Sequence, residues 1–323
     1  MSINVVPDLF IHIELPELKK MQTTSRILMI RPINFSFNAE TAVNNKFQVA
    51  GNGEAVQEPA LLEFENFVTL LEKEGVHVMV VDDTPDPLTP DSIFPNNWIS
   101  FHDDGTVCLY PMYATNRRLE RKPAILEKIA ETFEITNKID LTGYENHDVF
   151  LEGTGSMVLD REHKIAYACL SPRTDMKVLE RFCSMMKYRP VVFHATDSHG
   201  NAIYHTNVMM CVGEHFVVLA ADAITDEREK SHILQVITQS GKEVVPISIQ
   251  QMNEFAGNML LLNNDKGEKL VVMSSRAYAS LTPEQLSVLS ASGKIIHSPL
   301  NTIETNGGGS ARCMMAEIHL PLK

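Results

Sequence analysis

The stretch SMVLDREHKIAYACLSPRTDMKVLERFCSMMKYRPVVFH, residues 156–194, decides the fold. Two apolar runs separated by a polar turn at residues 160–163 predict a β-hairpin over residues 156–170. An amphipathic helix follows, because apolar side chains recur at three- and four-residue spacing at Leu179, Phe182 and Met186. The apolar run 191–194 then predicts a third strand. The stretch therefore encodes one strand–strand–helix–strand unit.

The same unit recurs about every 50 to 60 residues along the chain. Further hairpins are predicted over residues 98–109, 208–220 and 259–273. Strands that follow a helix are predicted over residues 76–81, 134–139, 243–247 and 294–297. Residues 26–81 supply a strand, a helix and a strand, and residues 312–319 supply one more strand. The fifth unit is therefore predicted to be assembled from both ends of the chain.

A unit of this size cannot bury its own apolar faces, so the units are expected to stack on one another. Five units in a ring leave no loose end. The repeat therefore predicts an α/β fold of five ββαβ blades, a pseudo-symmetric propeller whose ring is closed by the N- and C-terminal segments. An open, doubly wound α/β domain is the alternative, but hairpin pairs before the helices disfavour a purely parallel sheet.

The repeat begins near Ser25, and this divides the chain into two parts. We expect residues 25–323 to form a single catalytic domain. Residues 1–24 are expected to be an N-terminal extension that is either disordered or a start-site artefact, with Met21 as an alternative start. Asp8, Glu14 and Glu17 interrupt any signal-peptide core in this segment.

Composition and charge narrow the class of ligand. The formal net charge of −13 disfavours nucleic-acid binding, because such binders concentrate Lys and Arg on one face. No apolar run approaches the ~20 residues needed to cross a bilayer. Five cysteines without CxxC spacing are typical of a reducing compartment rather than of a disulfide framework. We therefore expect a cytoplasmic protein with a small-molecule substrate and with neither nucleic-acid nor membrane partners.

In a ring of this kind, the loops that lead into the hairpins point towards one mouth of the central axis. These loops cover residues 84–97, 140–154, 195–207, 248–258 and 298–312. They carry a set of reactive side chains, with one cysteine just beyond the last loop: Asp91, Asn97, Glu152, His205, Asn207 and Cys313. We expect these six side chains to meet.

Cys313 is the candidate nucleophile. It follows Gly307-Gly308-Gly309-Ser310, a turn whose backbone amides can approach a substrate closely. The other four cysteines lie in apolar runs, where a thiol behaves as a small hydrophobe. From the local sequence alone, a core cysteine at the start of a strand is an equally good interpretation of Cys313.

A thiol nucleophile needs a partner that moves protons, first to the leaving nitrogen and then from a water. His205 has the position for this task, although the chain has 12 histidines and its loop favours it only modestly over His147 and His199. Glu152 is a candidate to orient the imidazole or to accept N–H bonds from the substrate. A solvated loop carboxylate is the alternative interpretation of Glu152.

Four segments carry a family resemblance: PDSIFPNNW at 90–98, FLEGTGSMVLDR at 150–161, YHTN at 204–207 and GGGSARCMM at 307–315. Over nearly all of the chain after residue 25, the sequence resembles the guanidino-group-modifying enzymes of the pentein fold. That superfamily includes arginine deiminases, dimethylarginine hydrolases, agmatine deiminases, succinylarginine dihydrolases and amidinotransferases, and has a five-bladed α/β propeller. MIRPINFSFN at 29–38 and MYATNRRLE at 112–120 more narrowly resemble the citrulline-utilisation, amidinotransferase-like branch.

The resemblance implies roles for individual residues. Cys313 corresponds to the nucleophile, His205 to the general acid and base, and Glu152 to its carboxylate partner and a substrate contact. Asp91 corresponds to a further substrate contact. At Asn97 and Asn207 the chain departs from the deiminases, which place aspartates there to hold a cationic guanidinium through paired, charge-assisted hydrogen bonds.

The two asparagines favour a neutral ureido substrate, because an amide donates to a ureido oxygen that a carboxylate would repel. We therefore expect a cysteine hydrolase that converts citrulline to ornithine, ammonia and carbon dioxide through an S-carbamoyl intermediate. The alternatives are a succinylarginine-dihydrolase-like enzyme, a deiminase of arginine or dimethylarginine, and an amidinotransferase. A pentein-fold binding protein without activity is the alternative from another class.

The remaining expectations concern ligands. Arg173 and Arg117 are candidates to pair with the substrate carboxylate, because a planar guanidinium can hold both oxygens. Neither a metal nor a cofactor is expected, since His205 and Glu152 lack a third ligand at helical spacing and no phosphate-binding loop is present. The sequence leaves the oligomeric state open.

Overall fold

Five three-stranded sheets make up the framework of the computed structural model, which describes residues 21–49 and 56–323. The strands are β1 Arg26–Arg31, β2 His77–Asp82, β3 Ile99–Phe101, β4 Thr106–Leu109, β5 Asn137–Asp140, β6 Met157–Asp160, β7 Ile165–Cys169, β8 Arg189–Phe193, β9 Met210–Val212, β10 Phe216–Leu219, β11 Glu243–Pro246, β12 Leu260–Asn263, β13 Lys269–Ser274, β14 Lys294–Ser298 and β15 Ala316–Glu317. The helices are α1 Ala39–Ala42, α2 Gln57–Lys73, α3 Pro123–Thr132, α4 Gly153–Ser156, α5 Met176–Met186, α6 Glu227–Gln239, α7 Ile249–Asn253, α8 Ser275–Ser280, α9 Pro283–Ser292 and α10 Asn301–Gly307.

Every sheet has the same strand order and the same directions. We number the sheets one to five: β15-β1-β2, β3-β4-β5, β6-β7-β8, β9-β10-β11 and β12-β13-β14. In each sheet the first two strands are antiparallel and the last two are parallel, with at least one helix in the parallel crossover. The predicted repeat and the assembly of one unit from both ends of the chain are therefore confirmed.

Most predicted strand boundaries agree with the structure within two residues, and two strands differ by more. The strand predicted from residue 134 begins at Asn137, because Phe133 and Glu134 pair with the C-terminal residues Leu322 and Pro321 instead. The strand predicted over 312–319 is reduced to β15, and residues 311–314 form a 3-10 turn ahead of it. That turn carries Cys313.

The core lies between neighbouring sheets. Side chains on the two faces of a strand pack against different neighbouring sheets. On β1, Ile27 and Met29 pack with residues of sheet five, whereas Leu28 and Ile30 pack with residues of sheet two. Further apolar clusters connect sheet two with sheet three and connect sheets three, four and five. The architecture is thus α/β with small sheets joined through their apolar faces.

The segment before β1 differs from its expected description. Residues 1–20 of the expected extension lie outside the described residues. Gln22, Thr23 and Thr24, also placed in that extension, are buried, and Gln22 Nε2 donates to the carbonyl of Leu159 at 2.9 Å. Among the helices described, none is both long and apolar enough to cross a bilayer.

Candidate active site

Loops that precede the first strands of sheets one, two and four line one small cavity. Six of the eight predicted site residues line it: Asp91, Asn97, Arg117, Arg173, His205 and Cys313. Glu152 and Asn207, the other two, are buried and contact His205 and Cys313 respectively. The structure therefore brings together all eight residues.

His205 and Glu152 form a buried pair at one side of the cavity. His205 Nε2 lies 2.7 Å from Glu152 Oε2, and the backbone N–H of Tyr113 donates to Glu152 Oε1 at 2.9 Å. Arg173 Nη1 donates to Glu152 Oε2 at 3.4 Å. The carboxylate is thus held from three directions and fixes the orientation of the imidazole.

The charges of this pair follow from its surroundings. Burial opposes ionisation of Glu152, but Arg173 and His205 outweigh it and lower the pKa of Glu152 well below its usual range. Burial lowers the pKa of His205 to about 4, although Glu152 acts in the opposite direction. At neutral pH the imidazole is therefore neutral, and its Nε2 donates to the ionised carboxylate. Nδ1 then carries the free lone pair and is available as a base.

Cys313 faces two amide groups. Asn258 Nδ2 donates to its sulfur at 3.3 Å and Asn207 Nδ2 at 3.5 Å. Cys313 lies in the 3-10 turn, and its backbone N–H donates to the carbonyl of Ser310 at 3.0 Å. These contacts distinguish Cys313 from an ordinary core cysteine, the alternative that the local sequence left open.

Arg117 has a different role from the one expected for it. Its Nε and Nη2 donate to the two oxygens of Glu120 at 2.8 and 2.9 Å, and its Nη1 donates to Asn97 Oδ1 at 2.8 Å. The guanidinium of Arg117 is therefore buried and held by protein partners, and it orients Asn97 beside the cavity. Asn97 Nδ2, on the other side of the amide, has no hydrogen-bond partner among the described residues.

The segment around α1 covers the cavity and contributes contacts that the sequence did not indicate. Asn38 Nδ2 and Thr41 Oγ1 donate to Asp91 Oδ2 at 2.8 and 3.1 Å. Arg173 donates to the carbonyl of Thr41 and to Asn44 Oδ1, both at 2.8 Å. Asp91 Oδ1 is buried without a partner in the described part of the chain, and burial raises the pKa of this carboxyl group.

A glycine gives the side chains of Asn97 and His205 room to approach each other. Gly155 lies in α4, and a Cβ at this position would lie 2.3 Å from Asn97 Nδ2 and 2.9 Å from His205 Nδ1. Both distances are shorter than van der Waals contact allows, so a larger residue would displace the amide or the imidazole. Gly155 therefore sets the approach of Asn97 to the free nitrogen of His205.

Asn258 is the main site residue that sequence reasoning missed, and a signal for it was present. Asn97, Asn207 and Asn258 occupy similar places in their repeats, two or three residues before the first strand. A comparison of equivalent positions would have selected Asn258 with the other two. No such signal marks Asn38, Thr41 or Asn44, which lie in the connection between β1 and α2.

Metal binding was not expected, and the described residues include no group of three or more His, Cys, Asp or Glu side chains placed to hold an ion. All five cysteines are free and buried.

The fold and the site define an enzyme of the guanidino-group-modifying, or pentein, class, whose hydrolases act on C–N bonds. The sequence model of the family described as N,N dimethylarginine dimethylhydrolase, eukaryotic, matches residues 31–320, and the chain belongs to that family. The expected superfamily and enzyme class are thereby confirmed.

Solved structures share the fold at low sequence identity. The apo structure of ArgZ, an arginine dihydrolase from the ornithine-ammonia cycle in cyanobacteria, is 19% identical with a TM-score of 0.72 over 92% of this chain and 41% of that chain. The chain thus spans less than half of full-length ArgZ. The N-terminal domain of ArgZ bound to substrate is 18% identical with a TM-score of 0.71, over 92% of this chain and 98% of that one.

A dimethylarginine dimethylaminohydrolase carrying an adduct with S-methyl-L-thiocitrulline is 13% identical with a TM-score of 0.60. The match covers 92% of this chain and 100% of that chain. A comparison with curated proteins gives no significant match.

Proposed function

We propose that the protein is a cysteine hydrolase that cleaves the ureido group of a citrulline-like amino acid, giving ornithine, ammonia and carbon dioxide. One observation carries this proposal: amides, rather than carboxylates, face the sulfur of Cys313. Asn207 and Asn258 donate to the sulfur, and Asn97 presents an unpartnered Nδ2 to the site. A neutral ureido oxygen can accept from such a donor.

The carboxylates near the cavity support a neutral substrate. Glu152 is already paired with Arg173 and His205. Asp91 lies 3.8 Å from Arg117 and accepts from Asn38. Both oxygens of Glu152 therefore have protein partners, whereas Oδ1 of Asp91 has none among the described residues. A guanidinium would find one free carboxylate oxygen here and not the pair of carboxylates that holds it in a deiminase.

The reaction has two stages. In the first stage, His205 receives the thiol proton and the thiolate of Cys313 attacks the ureido carbon. The bond between this carbon and the side-chain nitrogen breaks, and His205 donates the proton to the leaving ornithine amine. The S-carbamoyl group remains on the sulfur. In the second stage, His205 takes a proton from a water molecule, and the water oxygen attacks the same carbon. The C–S bond breaks, and the released carbamate decomposes to ammonia and carbon dioxide.

A second function, hydrolysis of a guanidino substrate, is favoured by Asp91. Its Oδ1 is buried without a partner in the residues described and lines the cavity with Cys313. A guanidinium that entered the cavity could pair with this oxygen. Arginine and dimethylarginine are the corresponding substrates, the latter named in the description of the family.

A substrate panel separates these functions. Purified protein is given citrulline, arginine, dimethylarginine and succinylarginine in turn, and ornithine, citrulline, amines and ammonia are measured. We expect ornithine from citrulline. Turnover of arginine or dimethylarginine without turnover of citrulline would select the second function, and arginine consumption that requires an added amine would select amidino transfer. No turnover of any of the four by protein with the native fold would support a binding protein.

We also infer that the five sheets are blades of a closed propeller. Apolar clusters link each sheet to the next and link sheet five back to sheet one, as a ring requires. The free, buried cysteines fit a reducing compartment, and we propose the cytoplasm as the location.

A further inference from the structure

Asn258 makes the shortest polar side-chain contact to the sulfur of Cys313 within the described residues. Its Nδ2 lies 3.3 Å from the sulfur, compared with 3.5 Å for Asn207 Nδ2. The Asn258 side chain is almost completely buried, at 1% exposure. Water therefore does not compete for this donor, and the contact persists in a dry environment where a hydrogen bond to a charged group is strong.

The protein fixes which end of the Asn258 amide faces the sulfur. Oδ1 accepts from the backbone N–H of Arg312 at 3.1 Å, and Nδ2 also donates to the backbone carbonyl of Asn207 at 3.0 Å. A flipped amide would place an N–H against an N–H and an oxygen against an oxygen. Asn258 therefore presents a donor to Cys313, and its second Nδ2 proton is the one directed at the sulfur.

We propose that Asn258 is a catalytic residue that stabilises the thiolate of Cys313 by donating to it, with Asn207 as a weaker second donor. This proposal rests on Cys313 being the nucleophile of the proposed function. A cationic guanidinium could itself stabilise a thiolate beside it, whereas a neutral ureido group cannot. An enzyme for neutral substrates therefore has to supply this stabilisation from its own side chains, and the two amides do so.

Asn258 could instead matter only for structure, because its Oδ1 also accepts from the backbone N–H of Arg312 and holds that turn. Two substitutions distinguish this structural role from the proposed catalytic role. Asn258→Asp keeps this acceptor and the shape of the side chain but replaces the donor by an oxygen that repels a thiolate. Asn258→Ala removes both the donor and the anchor. If the donor matters, Asp disturbs the thiolate more than Ala does. If only the anchor matters, Ala is the more disturbing change.

The ultraviolet absorbance of the thiolate measures the ionisation of Cys313 directly. The measurement requires neither turnover nor a reagent that enters the cavity. The signal of Cys313 is obtained by subtracting the spectrum of Cys313→Ala at each pH. Burial raises the pKa of each of the other four thiols to about 12, so they contribute little near neutrality. The other charged and titratable groups that share the site are unchanged in these variants: His205, Glu152, Tyr204, Asp91, Arg117, Arg173 and the adjoining Arg312.

We expect Asn258→Ala to raise the midpoint pH of thiolate formation by about one unit, which means a tenfold loss of thiolate at a fixed pH below the midpoint. Asn258→Asp should raise the midpoint further. Asn207→Ala should give a smaller upward shift, and it keeps the test open if the Asn258 variants do not fold. Asn137→Asp, an added charge on the exposed strand β5, is the control and should leave the midpoint unchanged.

Equal midpoints in wild type and the two Asn258 variants, or a larger shift for Ala than for Asp, would overturn the proposal. The same proteins are assayed with citrulline. A Cys313→Ala protein that still releases ornithine would instead overturn the proposed function, whatever the absorbance shows.

Discussion

His205 Nε2 lies 2.7 Å from Glu152 Oε2, and neither side chain is more than 3% exposed. The carboxylate therefore assigns the proton of the neutral imidazole to Nε2 and leaves Nδ1 as the base. Nδ1 faces Gly155, beside the unpartnered amide nitrogen of Asn97. His205 and Cys313 line the same cavity.

Replacement of Glu152 by Gln should lower kcat by about 10²- to 10⁴-fold, because an amide can donate to the imidazole and reverse the positions of its proton and lone pair. Steady-state kinetics with citrulline measures this. Glu229→Gln is the matched control, since Glu229 contacts His194 at 3.0 Å on the surface. An activity for Glu152→Gln within twofold of the control would exclude the assigned role of the pair.

Gly155→Ala should reduce activity strongly and destabilise the fold by about 1–3 kcal/mol, because its Cβ has to displace Asn97 or His205. Gly143→Ala provides the comparison, since a Cβ there meets no atom within 4 Å. Urea denaturation and kcat/KM are measured for both proteins. Wild-type activity in Gly155→Ala would show that the close approach of these groups is not required.

His205 should make the protein less stable as the pH falls from 6.5 towards 4, the interval between its ordinary pKa and its lowered pKa. The unfolded chain binds a proton there and the folded chain does not, so stability rises with pH across this interval. Between about pH 7 and pH 5 the wild type should lose about 2 kcal/mol more than His205→Gln does.

Urea denaturation of both proteins at the two pH values gives this difference. His102 and His319, whose pKa values are also lowered by burial, titrate in both proteins and cancel. If the wild type and His205→Gln lost the same free energy of unfolding between the two pH values, His205 would keep an ordinary pKa in the folded protein.

Asn97→Asp should shift substrate preference from citrulline towards arginine, by about tenfold or more in the ratio of the two kcat/KM values. The substitution keeps the acceptor for Arg117 and replaces only the unpartnered Nδ2 by an oxygen. Competition assays with both substrates give the ratio directly. A ratio equal to that of the wild type would mean that this amide does not select for substrate charge.

The repeat made much of the fold and site predictable from sequence. Hairpins, helix caps and short strands are local features, and the capping box that Thr282 and Gln285 form at the start of α9 is an example. Once the loops were placed at one mouth, residue type and position made Cys313 and His205 candidates, and the family resemblance implied their roles.

Other features depend on distant contacts that a local pattern does not encode. Arg117 looked like a free cation, but Glu120 and Asn97 hold it in the folded protein. The contacts of Thr41 and Asn44 with Arg173 join residues more than 120 positions apart. Such pairings are set by the arrangement of whole sheets and not by neighbouring residues.

The account depends most on a covalent bond between Cys313 and the substrate carbon. Rapid quenching of wild-type protein with citrulline, followed by mass spectrometry of the peptide that contains Cys313, tests it directly. We predict an added carbamoyl group on Cys313 that forms at least as fast as ornithine is released, and neither adduct nor ornithine with Cys313→Ala. Ornithine release at the wild-type rate by Cys313→Ala would contradict the account.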